Sequence, residues 1–555
     1  MKICCTVLAG ATWMLFAAGP LAAAEPAGAL VGKLLDRIVA RERAFLTGIQ
    51  ARTPLIETYI QETPENSDDS TRPTKDHYFL GRFRLGDTLT YESLVERTDA
   101  PPAKSSSWLP FHSGTSKNQA LTFLPRGFAQ MAVIDLRDFN RETYRFEYVR
   151  QEFLGDVRCL VFDVTPVNRL QPGKFVGRIW VEDRDDAILR FNGTYVQAPP
   201  SKRARTERYF HFDSWRVNAG GALWVPAQIY VEEEASPGRA GASATPHFKA
   251  QTRIWDYAAA PTRKIDELTS ILIDGASGLK DQAAPKDVSP LESQRAWERQ
   301  AEENLLARLE KGGFLAPPGP VDEVLNTVVN NLIVSAKLNV EAHCRVLLTT
   351  PFETFAIGRT IVISRGLIDV LPDEASLALA LASELAHIAL GQSTPTQFAF
   401  NNQTMLSDFD LLQHFRFERP PAEMLSASQK TIAIMRDSPY QNTANAGLFL
   451  KALSAHHAAL PRLLQATLGD QVADPEALAR LAGFAASAPP LEEDKLEQIA
   501  ALPLGSRVKV NPWNNQLSLI KARPLALLAP REKMPFEVTP FMLYLTRTEA
   551  TSASR

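Results

Sequence analysis

The chain has little cysteine, almost no net charge and no long apolar run beyond its first residues, and each shortage excludes a class of protein. Only 4 of its 555 residues are cysteine, which excludes a disulfide framework. A formal net charge of −3 provides no basic surface, so we expect no nucleic-acid partner. After the N-terminus no stretch approaches the roughly 18 apolar residues that cross a bilayer, so we expect no transmembrane segment in the mature chain.

Residues 1–24 have the pattern of a secretory signal peptide. Lys2 supplies a positive charge, the run 3–18 is mostly apolar, and three alanines ending at Ala24 fit a cleavage site. This pattern predicts a protein exported across the inner membrane to the periplasm, either soluble or peripherally attached. Cys159 and Cys344 remain in the mature chain. The sequence does not decide whether they form a disulfide, and two buried free thiols in separate domains are the favoured alternative.

Residues 25–272 are predicted to form a β-domain that begins with a helix. Apolar residues recur at helical spacing between residues 30 and 50, and the chain then changes to segments rich in Val, Ile, Tyr, Phe and Trp. A helix followed by a long antiparallel meander predicts a curved antiparallel sheet, a half-barrel wrapped on the helix. The predicted strands are 55–62, 77–85, 89–97, 143–154, 157–167, 174–182, 187–196, 208–217, 222–233 and 247–257.

Three segments of this β-domain carry a family resemblance. They are Tyr144–Tyr148, Gly177–Glu182 and the run Ile-Leu-Arg-Phe that starts at Ile188. Their strand rhythm resembles the LolA/LolB-type fold of envelope lipoprotein carriers. The resemblance implies a concave apolar face able to hold an acyl chain or an extended peptide. A packed structural β-domain is the alternative.

A linker of small and polar residues at 273–290 precedes a second, mostly helical domain at 291–504. Pro290 fits the first position of a helix, and the pair Gly312-Gly313 fits its end. Residues 505–555 are predicted to form a C-terminal β extension, which begins with a hairpin and contains a further strand near its end. The predicted fold class is therefore α+β.

The most informative motif of the chain is the five-residue run Ser383–His387. In the pattern H-E-x-x-H, two histidines four positions apart lie on one helix face and hold Zn²⁺, and the glutamate acts as general base on the bound water. Here Glu384 and His387 are in place. Ser383 occupies the first position, where a neutral hydroxyl is a poor zinc ligand.

The order of features between residues 321 and 502 resembles the HtpX/BepA-type zinc endopeptidases, metallopeptidase family forty-eight. The most specific stretch is Phe355–Leu367, an edge strand and turn, followed by a helix capped at Asp373 that ends near Gly391. The segment Ser438–Asn442 and the helix after it resemble the family's downstream turn and helix. The resemblance implies a gluzincin-like metallopeptidase domain in which a substrate peptide pairs as an added strand. The implied peptide-binding residues are Phe355, Ala356, Ile361 and Ile363.

Four functional positions depart from the pattern of that family. Ser383 replaces the first zinc histidine, and Glu353 stands where the family has an asparagine. The nearest candidate for the third ligand is Glu423, which lacks the companion aspartate of the family's motif. Ala488 stands where a histidine would stabilise the reaction intermediate. Losing even an outer partner of a metal ligand costs about 10–100-fold in metal affinity or activity, so the four departures together predict a degenerate site.

The ligand set of such a site leaves one alternative open. With Glu384 as general base, His387 and Glu423 supply at most two metal ligands, whereas catalytic zinc needs about three. His414 or His456 could complete the set, although a surface or packing role is favoured for both. We expect no cofactor if the site is degenerate and Zn²⁺ if it is active.

The sequence thus supports three functional hypotheses. The first is an exported pseudopeptidase that binds a peptide or an envelope protein, for instance in protein quality control, without hydrolysing it. The second is an active zinc metalloendopeptidase with altered ligands. The third is a lipoprotein or lipid carrier that acts through the β-domain. The identity of the partner and the oligomeric state are not predicted.

Overall fold

The structure is a computed structural model. It describes residues 27–63, 73–86, 88–95, 111–113, 121–196, 209–234, 247–258, 290–392, 417, 419–441, 444–464, 468–471, 475–492, 495, 498, 504–520 and 536–547. The predicted signal peptide, nearly all of the predicted linker, and His414 lie outside these residues.

Eleven helices are described in these ranges. They are α1 (Ala27–Ile49), α2 (Pro125–Gln130), α3 (Pro290–Lys311), α4 (Pro320–Ser335), α5 (Arg365–Val370), α6 (Glu374–Ala389), α7 (Pro421–Arg436), α8 (Ala444–His456), α9 (Pro461–Leu464), α10 (Pro475–Arg480) and α11 (Ala482–Ser487).

Eighteen strands are described in the same ranges. They are β1 (Leu55–Thr63), β2 (Lys75–Leu85), β3 (Leu89–Ser93), β4 (Phe111–Ser113), β5 (Leu121–Phe123), β6 (Tyr144–Leu154), β7 (Val157–Pro166), β8 (Phe175–Glu182), β9 (Ile188–Tyr195), β10 (Tyr209–Gly220), β11 (Leu223–Glu234), β12 (His247–Trp255), β13 (His343–Leu347), β14 (Glu353–Ile357), β15 (Thr360–Ser364), β16 (Asp470–Gln471), β17 (Val508–Val510) and β18 (Leu517–Leu519).

The α+β class and the long antiparallel meander are confirmed. Ten strands form one sheet in the order β3-β2-β1-β12-β11-β10-β9-β8-β7-β6, and every neighbouring pair is antiparallel. The sheet is open and does not close into a barrel, because β3 and β6 end it on opposite sides. No helix in the described ranges is long and apolar enough to cross a membrane.

The two faces of this sheet belong to two different hydrophobic cores. On one face, Ile38 and Ile49 of α1 share a core with sheet residues such as Ile60 and Phe191. The other face shares a core with the C-terminal half of the chain. Since both faces are covered, all nine residues of β1 are buried, including its polar ones. A sheet covered on both sides ties the N-terminal and C-terminal halves into one packed body.

Buried charges join the sheet to the C-terminal half. Glu57 of β1 accepts hydrogen bonds from the Thr350 amide at 2.5 Å and hydroxyl at 2.7 Å, and from Arg365 Nη2 at 2.9 Å. Nearby, Arg253 Nη1 of β12 lies 3.9 Å from Asp369 Oδ2. Burial lowers the pKa of Arg253 to about 10, and burial also raises the pKa of Asp369. We call Glu57, Arg253, Arg365 and Asp369 the interface cluster.

The C-terminal segment returns to the sheet. The predicted hairpin is confirmed as β17 and β18. The further strand predicted near the end of the chain differs from the structure, which assigns no strand to 536–547. The side-chain amide of Gln61 provides the physical reason. It donates to the Phe536 carbonyl at 2.7 Å and accepts from the Val538 amide at 2.9 Å, so a side chain takes the place of a neighbouring strand.

A smaller sheet carries the region of the predicted zinc helix. Its order is β13-β15-β14-β16, with β13 parallel to β15 and the other pairs antiparallel. Helices α6 and α7 pack against each other, and α6 also packs against β14 and β15. Cys344 lies in β13 and Cys159 in β7, and both are buried free thiols. Burial raises the pKa of each thiol to about 12.

Candidate functional site

Helix α6 begins and ends where the sequence predicts. Asp373 caps its first turn through a side-chain hydrogen bond. At the other end Gly391 adopts φ +67°, a left-handed conformation that favours glycine. The Gly391 amide donates to the Ile388 carbonyl at 3.0 Å and the Gln392 amide to the His387 carbonyl at 3.1 Å, which is the Schellman arrangement. This turn brings Gln392 back beside the helix it follows.

His387 is buried and oriented by that returning glutamine. Its Nδ1 lies 2.6 Å from Gln392 Oε1, while Gln392 Nε2 donates to the Ser426 hydroxyl at 2.8 Å. The Ser426 hydroxyl in turn donates to the Glu423 carbonyl at 2.9 Å. Because Gln392 Nε2 donates to Ser426, the Gln392 atom that faces His387 is the oxygen Oε1, which can only accept. Nδ1 of His387 therefore carries the hydrogen of this bond. This bond fixes the tautomer and the orientation of the ring, as the outer partners of metal-binding histidines also do.

Glu384 is buried on the same helix. The Thr354 hydroxyl of β14 donates to its Oε1 at 2.8 Å, and Oε2 has no hydrogen-bond partner among the described residues. Burial raises the pKa of Glu384, whereas the Thr354 hydrogen bond and the positive charge of Arg419 act in the opposite direction. A desolvated carboxyl of this kind is expected at a general base, and equally in a former active site.

Arg419 is the cation of this region. Its side chain is buried, with Nη1 donating to the Gln392 carbonyl at 2.9 Å and Nη2 to the Ala356 carbonyl at 3.4 Å. Nη1 also lies 3.8 Å from Glu423 Oε2, whose side chain is partly exposed on α7. The guanidinium is therefore held by the residue that follows the α6 turn and by β14. It lies 3.8 Å from Glu423, and its positive charge also acts against the rise that burial causes in the pKa of Glu384. We call Glu384, His387, Arg419 and Glu423 the site cluster.

Glu353 fastens β14 to a later segment. Its buried carboxylate accepts hydrogen bonds from the Leu468 amide at 2.8 Å, the Gly469 amide at 3.4 Å and the Thr349 hydroxyl at 3.3 Å. In this segment β16 pairs with β14 at Glu353 and Thr354. The structure thus gives Glu353 a role in holding these two strands together.

The implied peptide-binding residues lie in the interior of the smaller sheet. Phe355, Ala356, Ile361 and Ile363 are all buried. Phe355 stacks on Phe417 with ring centroids 4.5 Å apart and ring planes 4° apart. The sequence predicts an edge strand here, but β14 has β15 on one side and β16 on the other. The chain itself therefore occupies the position that an added strand would take.

The remaining predicted positions lie in packing environments. Ser383 is half-buried on α6, and Ala488 is buried with its carbonyl accepting from Lys451 Nζ at 2.8 Å. His456 Nδ1 bonds the Ala452 carbonyl of its own helix at 2.8 Å. Its ring packs edge-on against a phenylalanine at 5.2 Å. These contacts are those of a packing histidine.

Sequence reasoning missed Thr354, Gln392 and Arg419. Gln392 had a detectable signal, because a glutamine directly after a helix-ending glycine can reach back to the last turn. Thr354 and Arg419 had none, since their partners Glu384 and Glu423 are set by the packing of β14, α6 and α7.

Among the described residues, the side chains at the motif on α6 supply fewer donors than a catalytic zinc site uses. Catalytic zinc takes three protein ligands and an open position. Within the described ranges, no group of three or more His, Cys, Asp or Glu side chains is placed to hold a metal ion. At the motif itself the donors are one imidazole and one hydroxyl, and the nearby Glu423 faces a fixed guanidinium.

Comparisons with known proteins identify no family for this chain. No protein-family profile matches it, and no curated protein sequence matches it. A solved structure of MucB in complex with MucA(peri) aligns with 40% of this chain and 93% of its own chain, at 9% identity and a TM-score of 0.12.

Proposed function

We propose that this chain is an exported, catalytically degenerate relative of the zinc endopeptidases that binds a peptide or envelope protein without hydrolysing it. The observation that carries the proposal is the buried guanidinium of Arg419, which lies 3.8 Å from Glu423 and whose charge acts on Glu384. This cation supplies the positive charge that a metal ion would bring to the same carboxylates.

Electrostatics make the guanidinium and a metal ion competitors. A dication seated beside His387 would meet a fixed positive charge, and the repulsion between like charges grows as water is excluded. Arg419 cannot lose its proton to relieve this repulsion. It is also held by two backbone carbonyls, which resist its displacement. A site with one imidazole and a resident cation supports binding chemistry rather than water activation.

The arrangement of β14 supports a peptide as the bound partner. β16 pairs antiparallel with β14, which is one geometry of a peptide added to a sheet edge. A peptide can use this position only by displacing residues 468–471. Gly469 lies so close to β14 that a Cβ atom there would be 2.5 Å from Phe355 Cδ1 and 2.7 Å from the Thr354 carbonyl.

The catalytic half of the proposal is tested by metal analysis and proteolysis. The mature chain is equilibrated with Zn²⁺ and dialysed, and its zinc content and hydrolysis of denatured casein are measured beside Glu384→Gln. We expect substoichiometric zinc and equal, background hydrolysis in both proteins. Stoichiometric zinc with hydrolysis that Glu384→Gln abolishes would establish the active-enzyme hypothesis instead.

The binding half is tested with Gly469→Ala and labelled denatured casein as the probe. A methyl group at Gly469 pushes the segment off β14, so we expect tighter casein binding than wild type, read by fluorescence anisotropy. Gly483→Ala is the matched control, because nothing lies within 4 Å of its added Cβ among the described atoms. Absence of casein binding in wild type and in Gly469→Ala would defeat the peptide-binding proposal. No observation in the described ranges favours the lipid-carrier alternative.

A further inference from the structure

The ten-stranded sheet ends in a long strand, β6, whose outer edge has no partner strand among the described residues. β6 has 11 residues and pairs with β7 on one side, and no described strand pairs with its other side. The other edges are short or covered. β3 has 5 residues, and β13 is covered by residues 314–316, which exchange backbone hydrogen bonds with residues 346–348. β6 is therefore the edge most able to pair with another chain.

Two of the four aromatic side chains on β6 are exposed. Tyr148 is 52% exposed and Phe153 is 66% exposed. Leu170, in the connection that follows β7, is 83% exposed. Large apolar side chains gathered along a free strand are a feature of surfaces that bind a partner.

The charges of β6 are arranged in a self-complementary order. Arg145, Glu147, Arg150 and Glu152 lie opposite Thr165, Asp163, Val161 and Cys159 of β7. These partners alternate along β7, so the four charged side chains share one face of the sheet. A bulge at Val149 shifts the alternation by one residue. The odd-numbered Arg145 and Glu147 therefore point to the same face as the even-numbered Arg150 and Glu152.

We infer that β6 pairs antiparallel with β6 of a second copy of this chain, centred between Tyr148 and Val149. In this register Arg145 faces Glu152 of the second copy, and Glu147 faces Arg150. Within each copy Arg150 Nη2 already lies 2.6 Å from Glu152 Oε2, so the contacts across the two strands extend an existing ion pair into a network. The twofold axis repeats each contact, which gives four opposite-charge pairs. On the other face the exposed Phe153 of each copy lies opposite Tyr144, whose side chain is buried within its own copy. A shift of the centre to either neighbouring position loses this charge match.

Charges and a bulge on an edge strand can also prevent pairing. Charges of a single sign would serve that purpose, because they repel a second copy in every register. The alternation on β6 instead provides attraction in one register. The two interpretations make opposite predictions about charge reversal.

The test uses the mature chain and two single variants, Arg150→Glu and Glu147→Arg. In a homodimer of either variant two pairs become like-charged, so we expect the dissociation constant to rise about tenfold or more in sedimentation equilibrium. In a 1:1 mixture, each glutamate of one variant faces an arginine of the other. The mixture should therefore regain wild-type association as a heterodimer.

The matched controls are Arg359→Glu and Glu341→Arg. They make the same charge changes in an exposed ion pair that is not part of β6, in which Arg359 Nη1 lies 3.0 Å from Glu341 Oε2. We expect wild-type association from both. Far-UV circular dichroism verifies that each variant is folded. A wild-type chain that stays monomeric at its highest soluble concentration, a dimer insensitive to both β6 variants, or a mixture that fails to re-associate would each overturn the inference.

Discussion

Two clusters of buried charge in this molecule differ in what they connect. The interface cluster joins β1 and β12 of the large sheet to α5 of the C-terminal half. Its central carboxylate, Glu57, receives four hydrogen bonds at 2.5–2.9 Å from Tyr78, Thr350 and Arg365. The site cluster lies within the C-terminal half, and its central carboxylate, Glu384, receives one side-chain hydrogen bond among the described residues.

The difference separates the role of Glu57 from that of Glu384. It does not extend to every member of the two clusters, because Asp369 Oδ2 in the interface cluster also has no hydrogen-bond partner among the described residues. A buried carboxylate with its lone pairs satisfied holds two elements in a fixed relation, and removing its partner strands a charge. A buried carboxylate with one unsatisfied oxygen destabilises the fold, and such groups mark sites whose arrangement serves function. We therefore expect the loss of the cation that pairs with Glu57 to lower the free energy of unfolding, and neutralisation of Glu384 to raise it.

The largest effect is expected at the interface. Arg365→Met leaves Glu57 buried without its cation, so the free energy of unfolding should fall by about 3 kcal/mol, at the low end of the range for a broken buried pair. Chemical denaturation measures the loss. The double variant Glu57→Gln/Arg365→Met also removes the unpaired charge of Glu57, so it should recover part of the lost free energy of unfolding.

Arg359→Met provides the matched control for this prediction. It makes the same substitution in an exposed pair with Glu341, and exposed pairs contribute about 0–1 kcal/mol. Equal losses from Arg365→Met and Arg359→Met would show that the interface cluster does not hold the two halves together.

A smaller effect of opposite sign is expected from Glu384→Gln. Because the pKa of Glu384 is raised in the folded state, that state binds more protons than the unfolded chain above pH 4.5, and stability falls as pH rises through this window. A glutamine at this position does not titrate, so it removes this loss of stability with rising pH, and its side-chain oxygen can still accept the hydrogen bond from the Thr354 hydroxyl. We expect the variant to exceed wild type by about 1 kcal/mol near pH 8, with the difference shrinking toward pH 4.5.

The comparison of variant with wild type isolates Glu384 from other buried acids of raised pKa, such as Asp369. The exposed Glu142 provides the control substitution Glu142→Gln. A Glu384→Gln variant less stable than wild type at pH 8 would mean that the carboxylate is structural, as Glu57 is.

Local patterns predicted much of this fold. The strands of the large sheet follow from alternating apolar residues and turn signals, and β17–β18 from the turn between them. The start of α6 at Asp373 and its end near Gly391 follow from capping chemistry. The short elements β4, β5 and α2 were missed, because three to six residues contain too little periodicity.

The site was predictable only along one helix. The spacing of Glu384 and His387 places both on α6, and the sequence identified them. Their partners depend on tertiary packing, which no local pattern reports. The interface cluster is more remote still, since Glu57 and Arg365 are separated by 308 positions. The one available indication in the sequence was the presence of polar residues in β1, because polar side chains in a buried strand need hydrogen-bond partners from elsewhere in the chain.

The smallest effect is expected from restoring the motif itself. Ser383→His rewrites the helix as H-E-x-x-H, and the new imidazole sits one turn from His387 on the same face. Two imidazoles still fall short of three ligands, and Arg419 still faces Glu423. We therefore expect substoichiometric zinc and background hydrolysis of denatured casein. Adding Arg419→Met should raise zinc retention above that of either single variant. If Ser383→His alone retained stoichiometric zinc and gained hydrolysis dependent on Glu384, one missing ligand would be the whole difference between this chain and an active enzyme.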